Sequence, residues 1–159
     1  MLLTHWSSNP LPALENREQN SLNSSEYQKP DGLWLSDESA EESWSWWCQV
    51  NNFRLHTFRI RTDFEVNMDN VLHIKNQAEL LSFSHQYGRT TYGLWAQHAI
   101  VWEHVARDYK GILITPYLWE CRDIGGSSTW YYSWDCASGC FWDVSCLTIQ
   151  KELTDAMDC

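Results

Sequence analysis

Residues 55–74 read LHTFRIRTDFEVNMDNVLHI, and this stretch decides the fold class. Apolar and polar residues alternate in its first half, which is typical of a strand with one buried face. His56, Phe58 and Ile60 would share one face of that strand. The turn-forming residues 68–70 then separate it from a second apolar run. The stretch therefore predicts two consecutive strands joined by a short turn.

Short apolar runs that end at turn residues predict further strands on both sides of this stretch. These runs cover residues 2–6, 33–36, 112–114, 129–134 and 142–149. Three short helices are predicted from capping residues and from apolar side chains three and four positions apart. One begins at the capping box 39–42 (SAEE), one lies between Asn76 and Gly88, and one runs from Trp102 to Tyr109. Helices scattered among strands, without a regular βαβ alternation, predict an α+β domain.

The length of 159 residues suits one domain, which we expect to cover residues 1–150. Residues 15–28 are almost entirely polar, so the sequence predicts a surface loop over about 15–30. The C-terminal residues 151–159, KELTDAMDC, are predicted to form a flexible tail.

The chain is strongly acidic, with 21 Asp and Glu against 11 Lys and Arg and a formal net charge of −10. This charge argues against binding to nucleic acid or anionic lipid through a basic surface. The N-terminus MLLTHWSSNP lacks the charged start and the apolar run of a secretory signal, and no later segment approaches a membrane span. We therefore expect a soluble, cytoplasmic protein without a membrane partner.

Six cysteines raise the question of disulfides or a metal site. Cys136 and Cys140 have a spacing within the range of zinc fingers, and Cys146 follows soon after, but no second Cys/His pair completes a tetrahedral set. An intracellular protein keeps its thiols reduced, and free cysteine is a common small core residue. Buried thiols are therefore the preferred explanation, and no metal is expected.

Tryptophan is the outlier of the composition, with 11 Trp beside 7 Tyr and 5 Phe. So much aromatic area indicates a packed core, a stacking site for a flat ligand, or both. Trp44, Trp47, Trp102 and Tyr109 occur at helical spacing, and we assign them to the core.

Several common catalytic motifs are absent from the sequence, including phosphate-binding glycine loops, HExxH and GxSxG. The polar and aromatic residues that could form a site lie in or beside predicted strands. They are His5 and Ser7 at the end of the first strand, Trp34 and Ser36 in the second, Asp135 in a loop, and Asp143 at the start of the last strand.

The order of these residues resembles the ADP-ribosyltransferase superfamily, whose members carry a histidine, an aromatic residue and an acid in a split sheet. His5 with Ser7 matches the first strand of the family, and residues 32–36 (GLWLS) match its second. Asp143 matches the acid that opens a late strand. The family usually has Tyr and Glu where this chain has Trp34 and Asp143, and Asp is one methylene shorter. The resemblance implies a split antiparallel or mixed sheet with short flanking helices, and NAD as the substrate.

The chemistry of such a site assigns a role to each candidate. Cleavage of the bond between nicotinamide and ribose develops positive charge on the sugar, which a carboxylate stabilises. Asp143 is the first candidate for this carboxylate, and Asp135 is the second because its loop can fold close to the pocket. Trp34 would stack on the nicotinamide ring, while His5 and Ser36 would hydrogen-bond the ribose hydroxyls and the amide.

Arginines are the candidates for contact with the pyrophosphate in an otherwise acidic protein, namely Arg59, Arg61 and Arg89. Arg59 and Arg61 also alternate with Phe58 and Ile60, so an exposed strand face is the simpler explanation for both.

Structural explanations stay open for the other candidates as well. Trp34 could belong to the core, His5 could bond to a backbone group, and Asp143 could cap a turn. Residues 29–36 and 130–143 also resemble uncharacterised small proteins of phages and actinobacteria, which carry no assigned activity.

Two functions remain as hypotheses. The first is ADP-ribosyl transfer from NAD to a protein or nucleic-acid acceptor, or hydrolysis of NAD. The alternative is a non-catalytic, Trp-rich interaction module, such as a phage accessory protein that binds a basic host partner. A carbohydrate-binding domain would need a solvent-facing row of aromatic rings.

Overall fold

The computed structural model describes residues 1–20, 29–90, 98–123 and 125–154. Its strands are β1 Leu2–Ser7, β2 Leu33–Ser36, β3 Ile60–Val66, β4 Val71–Ile74, β5 Gly88–Thr90, β6 His98–Ile100, β7 Gly111–Ile114, β8 Ser138–Phe141 and β9 Leu147–Thr154. Its α-helices are α1 Trp44–Val50, α2 Gln77–Tyr87, α3 Trp102–Asp108 and α4 Trp119–Arg122. Short 3₁₀ helices cover Leu55–Thr57, Gly126–Ser133 and Val144–Cys146.

Seven of the strands form one sheet in the order β4-β7-β8-β2-β1-β3-β9. β4 and β7 are parallel, and every other neighbouring pair in this sheet is antiparallel. β5 and β6 form a separate two-stranded sheet. The predicted α+β class with a mixed sheet is therefore confirmed.

Apolar side chains cover both faces of the large sheet around β7. All four of its residues are buried; Ile112 and Ile114 join one core cluster, whereas Leu113 joins the other. The cluster around Ile112 contains residues of α2 and α3 and the buried indoles of Trp102, Trp130, Trp134 and Trp142. A strand with two buried faces reads as a continuous apolar run, as this one does.

Local signals predicted several elements correctly. β1 and β2 lie where short apolar runs end at turn residues. α2 begins after Asn76, whose side chain accepts a hydrogen bond from the Glu79 backbone at 3.0 Å. α1 forms as predicted, but its N-cap is Ser43 rather than the capping box at 39–42.

The strand predicted over 129–134 is wrong, because this segment is part of a 3₁₀ helix. Hydroxyl side chains of the segment bond to backbone carbonyls three residues earlier: Ser128 to Gly125 at 3.0 Å and Thr129 to Gly126 at 2.7 Å. Both glycines adopt positive φ angles, 72° and 59°. Such local bonds compete with a strand ladder and outweigh the β propensity of the aromatic residues.

The two remaining strand boundaries are also corrected. Residues 55–57 form a 3₁₀ helix, so the strand predicted from Leu55 begins at Ile60. The strand predicted over 142–149 is interrupted by the 3₁₀ helix Val144–Cys146, and β9 starts at Leu147.

The C-terminal tail predicted from residue 151 is wrong over its first four residues, because β9 continues to Thr154. This strand pairs with β3 along the edge of the sheet, where polar and charged side chains are suited to solvent. Residues 155–159 of the predicted tail and residues 21–28 of the predicted polar loop lie outside the described residues. Of that loop, Arg17 donates its backbone N–H to the Trp142 carbonyl at 2.8 Å.

Candidate functional site

A cavity of about 360 Å³ opens where β1 and β2 part. The two strands pair at Thr4 and Ser36. Next to that pair, Nδ1–H of His5 donates to the Trp34 carbonyl at 2.9 Å. The imidazole ring of His5 thus donates to a carbonyl that would accept from a backbone N–H of β1 if the ladder between the two strands continued. The strands separate at this point, and both His5 and Trp34 line the cavity.

Three indoles line the cavity, and each contacts another side chain through ring packing or a hydrogen bond. Trp34 packs against the buried Trp134 with ring centroids 4.8 Å apart. Trp44 stacks on Trp47 at 5.3 Å with an interplanar angle of 6°. Trp6 donates its Nε1–H to Glu38 Oε1 at 3.1 Å. The aromatic walls are therefore fixed before any ligand arrives.

Glu38 ties two walls of the cavity together. One of its carboxylate oxygens accepts from Trp6 on β1, and the other accepts from the Ser45 hydroxyl in α1. Ser36 makes a similar connection, since its Oγ accepts from the Trp44 backbone N–H at 2.8 Å. Ser36 therefore positions the start of α1, while its own hydroxyl proton stays available to a second partner.

Asp135 is the acid that the fold brings into this cavity. Its neighbours along the chain are fixed by hydrogen bonds: Tyr117 Oη donates to the Trp134 carbonyl at 2.8 Å, and Ser138 Oγ donates to the Cys136 carbonyl at 3.1 Å. The backbone of the loop is thereby held in place. The Asp135 side chain itself is 30% exposed and lines the cavity.

Lys29 and Arg54 are the cations of the cavity. The Lys29 Nζ lies 3.8 Å from Asp135 Oδ2 and 5.1 Å from the centroid of the Trp34 ring. Arg54 has a left-handed backbone with a φ angle of 50°. Its guanidinium carbon lies 5.1 Å from the ring centroid of Phe53.

Burial shifts the pKa of several groups around the cavity. His5 is largely enclosed, and this desolvation lowers its pKa below the ordinary value of 6.5, although the bond to the Trp34 carbonyl opposes the shift. His5 is consequently neutral at pH 7, with Nδ1 protonated and Nε2 left as an acceptor. Burial raises the pKa of the Cys136 thiol to about 12, so that this thiol is not a nucleophile.

The structure brings together four of the predicted site residues and leaves the others elsewhere. His5, Trp34, Ser36 and Asp135 all line the cavity. Asp143 does not line the cavity. It follows the C-terminal end of β8, whereas the cavity-lining Ser138 is at the N-terminal end of that strand. Asp143 caps the 3₁₀ helix Val144–Cys146, accepting from the Ser145 backbone at 3.0 Å. The hydrogen bonds from Ser145 lower the pKa of Asp143.

The remaining predicted residues do not line the cavity. Ser7 donates to the Asn9 carbonyl at 2.8 Å. Arg59 is exposed, and Arg89 belongs to the two-stranded sheet. Arg61 pairs with Asp63 through a contact of 2.8 Å between Nε and Oδ1, and its guanidinium lies 5.7 Å from the ring centroid of Trp6.

Trp44, Lys29 and Arg54 are among the cavity residues that sequence reasoning missed. Trp44 was assigned to the core, although only Cys48 of α1 is buried. Lys29 stands at the start of the turn Lys29-Pro30-Asp31-Gly32 that leads into β2, and this position next to a candidate aromatic strand is a signal that could have found it. Nothing in the sequence around Arg54 marks it.

No protein-family model, no curated protein and no solved structure matches this chain. In the parts of the chain that the structure describes, no group of three or more His, Cys, Asp or Glu side chains could hold a metal ion. Within the same residues, no helix is long and apolar enough to cross a membrane. The five described cysteines are buried and free of disulfides.

Proposed function

We propose that this protein binds NAD in the cavity between β1 and β2 and transfers its ADP-ribosyl group to a macromolecular acceptor or to water. The observation that supports the proposal is that His5, Trp34, Ser36 and Asp135 line one cavity although they come from distant parts of the chain. Its volume of about 360 Å³ lies in the range of roughly 300–1,000 Å³ found for small-molecule sites.

Asp135, rather than Asp143, is the carboxylate of this proposal. In the reaction, the bond between ribose C1′ and the nicotinamide nitrogen breaks, and its electron pair leaves with nicotinamide, which becomes neutral. Positive charge develops on the sugar, and a carboxylate beside C1′ stabilises it. The acceptor then forms the new bond to C1′, and Asp135 takes the proton that the acceptor loses.

The other residues of the cavity bind and orient the substrate. Trp34 offers a ring face for the nicotinamide. Nε2 of the neutral His5 accepts a hydrogen bond from a ribose hydroxyl, and the Ser36 hydroxyl can donate one. Arg54 replaces Arg59 and Arg61 as the candidate partner of the pyrophosphate, since it lines the cavity and they do not.

Two aspartate variants test the proposal as a matched pair. Asp135→Asn keeps the shape of the side chain and should lower the rate of nicotinamide release from labelled NAD by about 100-fold or more, as the loss of a general base does. Asp143→Asn is the control, because asparagine also caps a helix and Asp143 lies outside the cavity. Its rate should stay within about twofold of wild type. A wild-type protein that neither binds NAD nor releases nicotinamide would refute the proposal.

A second candidate function, protein binding, is favoured by exposed aromatic side chains near α4. Trp119 is 49% exposed and Tyr132 is 48% exposed, and the Arg122 guanidinium lies 5.3 Å from the Tyr132 ring centroid. Exposed aromatic residues on an acidic protein suit a basic partner. A polyarginine peptide titrated by calorimetry should bind wild type more tightly than the variant carrying both Trp119→Ala and Tyr132→Ala. Because the variant keeps the net charge, equal affinity would show that Trp119 and Tyr132 do not contribute to binding, and would reject this second function.

A further inference from the structure

The ammonium group of Lys29 lies between an aromatic wall and the carboxylate of the cavity. It lies 5.1 Å from the Trp34 ring centroid and 6.0 Å from that of Trp134. It also lies 3.8 Å from Asp135 Oδ2. A cation beside an indole and near a carboxylate gains from both interactions. A flat ligand that stacks on Trp34 next to Asp135 would need the same space.

We propose that Lys29 is an internal competitor of the ligand: its ammonium fills a cation subsite formed by Trp34 and Asp135, and a flat cationic ring binds there by displacing it. The inference rests on the proposed function only for the natural occupant, which would be the positively charged nicotinamide ring of NAD. The subsite thus favours a charged ring over a neutral one of the same shape.

Lys29 is held weakly enough to be displaced. Its side chain is 38% exposed, and that of Asp135 is 30% exposed, so water screens their ion pair. At an exposed site, an ion pair such as that with Asp135 shifts an equilibrium by about 1.4- to 5.4-fold. A cation–π contact such as that with Trp34 shifts it by about 2.3- to 5.4-fold. Together they reduce the apparent affinity of a competing cation by about 3- to 30-fold, since the subsite is free for only a fraction of the time.

A different role for Lys29 predicts the opposite result. If its ammonium stayed in place and bound an anionic part of the ligand, its removal would weaken binding of the whole dinucleotide and leave a small cation unaffected. The position of the ammonium beside Trp34 and Asp135 favours the competitor role. Arg54 lines the same cavity and stacks on Phe53, so a second cation is present for a phosphate.

The test compares 1-methylnicotinamide, a flat cation, with nicotinamide, its neutral analogue, by ligand-detected NMR titration. Lys29→Met removes the charge at similar side-chain length and should raise the affinity for 1-methylnicotinamide by about 3- to 30-fold. The affinity for nicotinamide should rise by a similar factor, because a neutral ring that stacks on Trp34 must displace the same ammonium. In both proteins the cation should remain the tighter ligand of the two. Lys29→Arg keeps a cation at this position and should bind both probes as wild type does.

Adding Trp34→Leu to Lys29→Met should reduce the preference for the cation, since only the Asp135 carboxylate of the subsite then remains. This reduction separates the subsite from the general acidity of the protein. Circular dichroism and thermal melting of each variant report whether the fold is kept. The proposal is overturned if Lys29→Met binds 1-methylnicotinamide no better than wild type, or if neither protein binds it. NAD turnover is measured separately. Cation binding without turnover would reject the proposed function alone, and turnover without the effect of Lys29→Met would reject this inference alone.

Discussion

A buried carboxylate at the end of β2 provides the sharpest test of how the fold supports the cavity. Asp37 is 5% exposed, and its Oδ2 accepts from the Thr115 hydroxyl at 2.8 Å, two strands away across the sheet. Its Oδ1 accepts from the backbone and the hydroxyl of Ser39. Its backbone N–H donates to the Ala137 carbonyl at 3.0 Å, within the segment that follows Asp135. Asp37 therefore connects the ends of β2 and β7 beside the cavity.

Replacing either Asp37 or Thr115 should lower the free energy of unfolding by a predictable amount. Thr115→Val is close in shape and removes one hydrogen bond to a charged group, so it should lower the free energy of unfolding by about 1.5–3 kcal/mol. Asp37→Ala also leaves the buried Thr115 hydroxyl without its acceptor, whereas water can replace the partner of the exposed Ser39. We expect about 2–4 kcal/mol for this variant, which corresponds to a fall in Tm of roughly 4–16 °C for a domain of this size.

The double variant distinguishes a direct bond from two independent effects. Once Asp37 is absent, replacing Thr115 by valine removes a hydroxyl that has lost its acceptor, and should cost little more. The double variant should therefore resemble Asp37→Ala, with a coupling energy of about 1.5–3 kcal/mol. Urea unfolding followed by circular dichroism measures all three, and the exposed Thr148→Val is a control expected within about 0.5 kcal/mol of wild type. Additive single effects would refute the reasoning, because they would show that the two side chains do not interact.

Three further outcomes follow from single contacts. Gly139→Ala should lower the free energy of unfolding by about 1–3 kcal/mol or more in urea titrations, because the added Cβ would lie 2.5 Å from the Ile112 carbonyl oxygen; an unchanged midpoint would contradict that geometry. Burial lowers the pKa of His5 and of His73 below 6.5, so the native state binds fewer protons than the unfolded state. The contribution of the two neutral histidines to the free energy of unfolding should be fully present above pH 6.5 and should fall as the pH drops below it. His5→Gln should show a shallower loss between pH 7 and 5, and a loss equal to that of wild type would rule out the His5 contribution. Cys136 should resist iodoacetamide in the native protein and react after denaturation, as peptide mass spectrometry reports, because burial raises its pKa to about 12.

The parts of the fold that depend on neighbouring residues could be predicted from the sequence. The N-cap of α2 is an example, since Asn76 and Glu79 satisfy each other within one turn. β7 is another, because a buried strand needs only a short apolar run that ends before Pro116. By contrast, the 3₁₀ helix at 126–133 contains aromatic residues that favour strands, and its hydroxyl-to-carbonyl bonds become visible only once the backbone has turned.

The choice between Asp135 and Asp143 shows the limit of sequence reasoning for the site. Both acids flank β8, one before it and one after it, and either could follow the family's order of residues. The acid that reaches the cavity is the one at the end of β8 that lies beside the gap between β1 and β2. The strand order β7-β8-β2-β1 determines this end through pairings between residues far apart in the chain. The proximity of Lys29 to Trp34 and Asp135 depends on the same pairings.

Tryptophan residues lie both in the core and in the wall of the cavity, and the two sets are in contact. Trp134 is 1% exposed and belongs to the core, yet it packs against Trp34, which lines the cavity. Since the core fixes Trp134, the ring of Trp34 would lose little conformational freedom if the proposed ligand stacked on it, and this preorganisation would favour binding. The part of the proposed subsite that would have to move is then the side chain of Lys29, which is 38% exposed, rather than its aromatic wall. A ligand of the proposed subsite would be selected by whether it competes with an ammonium ion, which depends on its charge as much as on its shape.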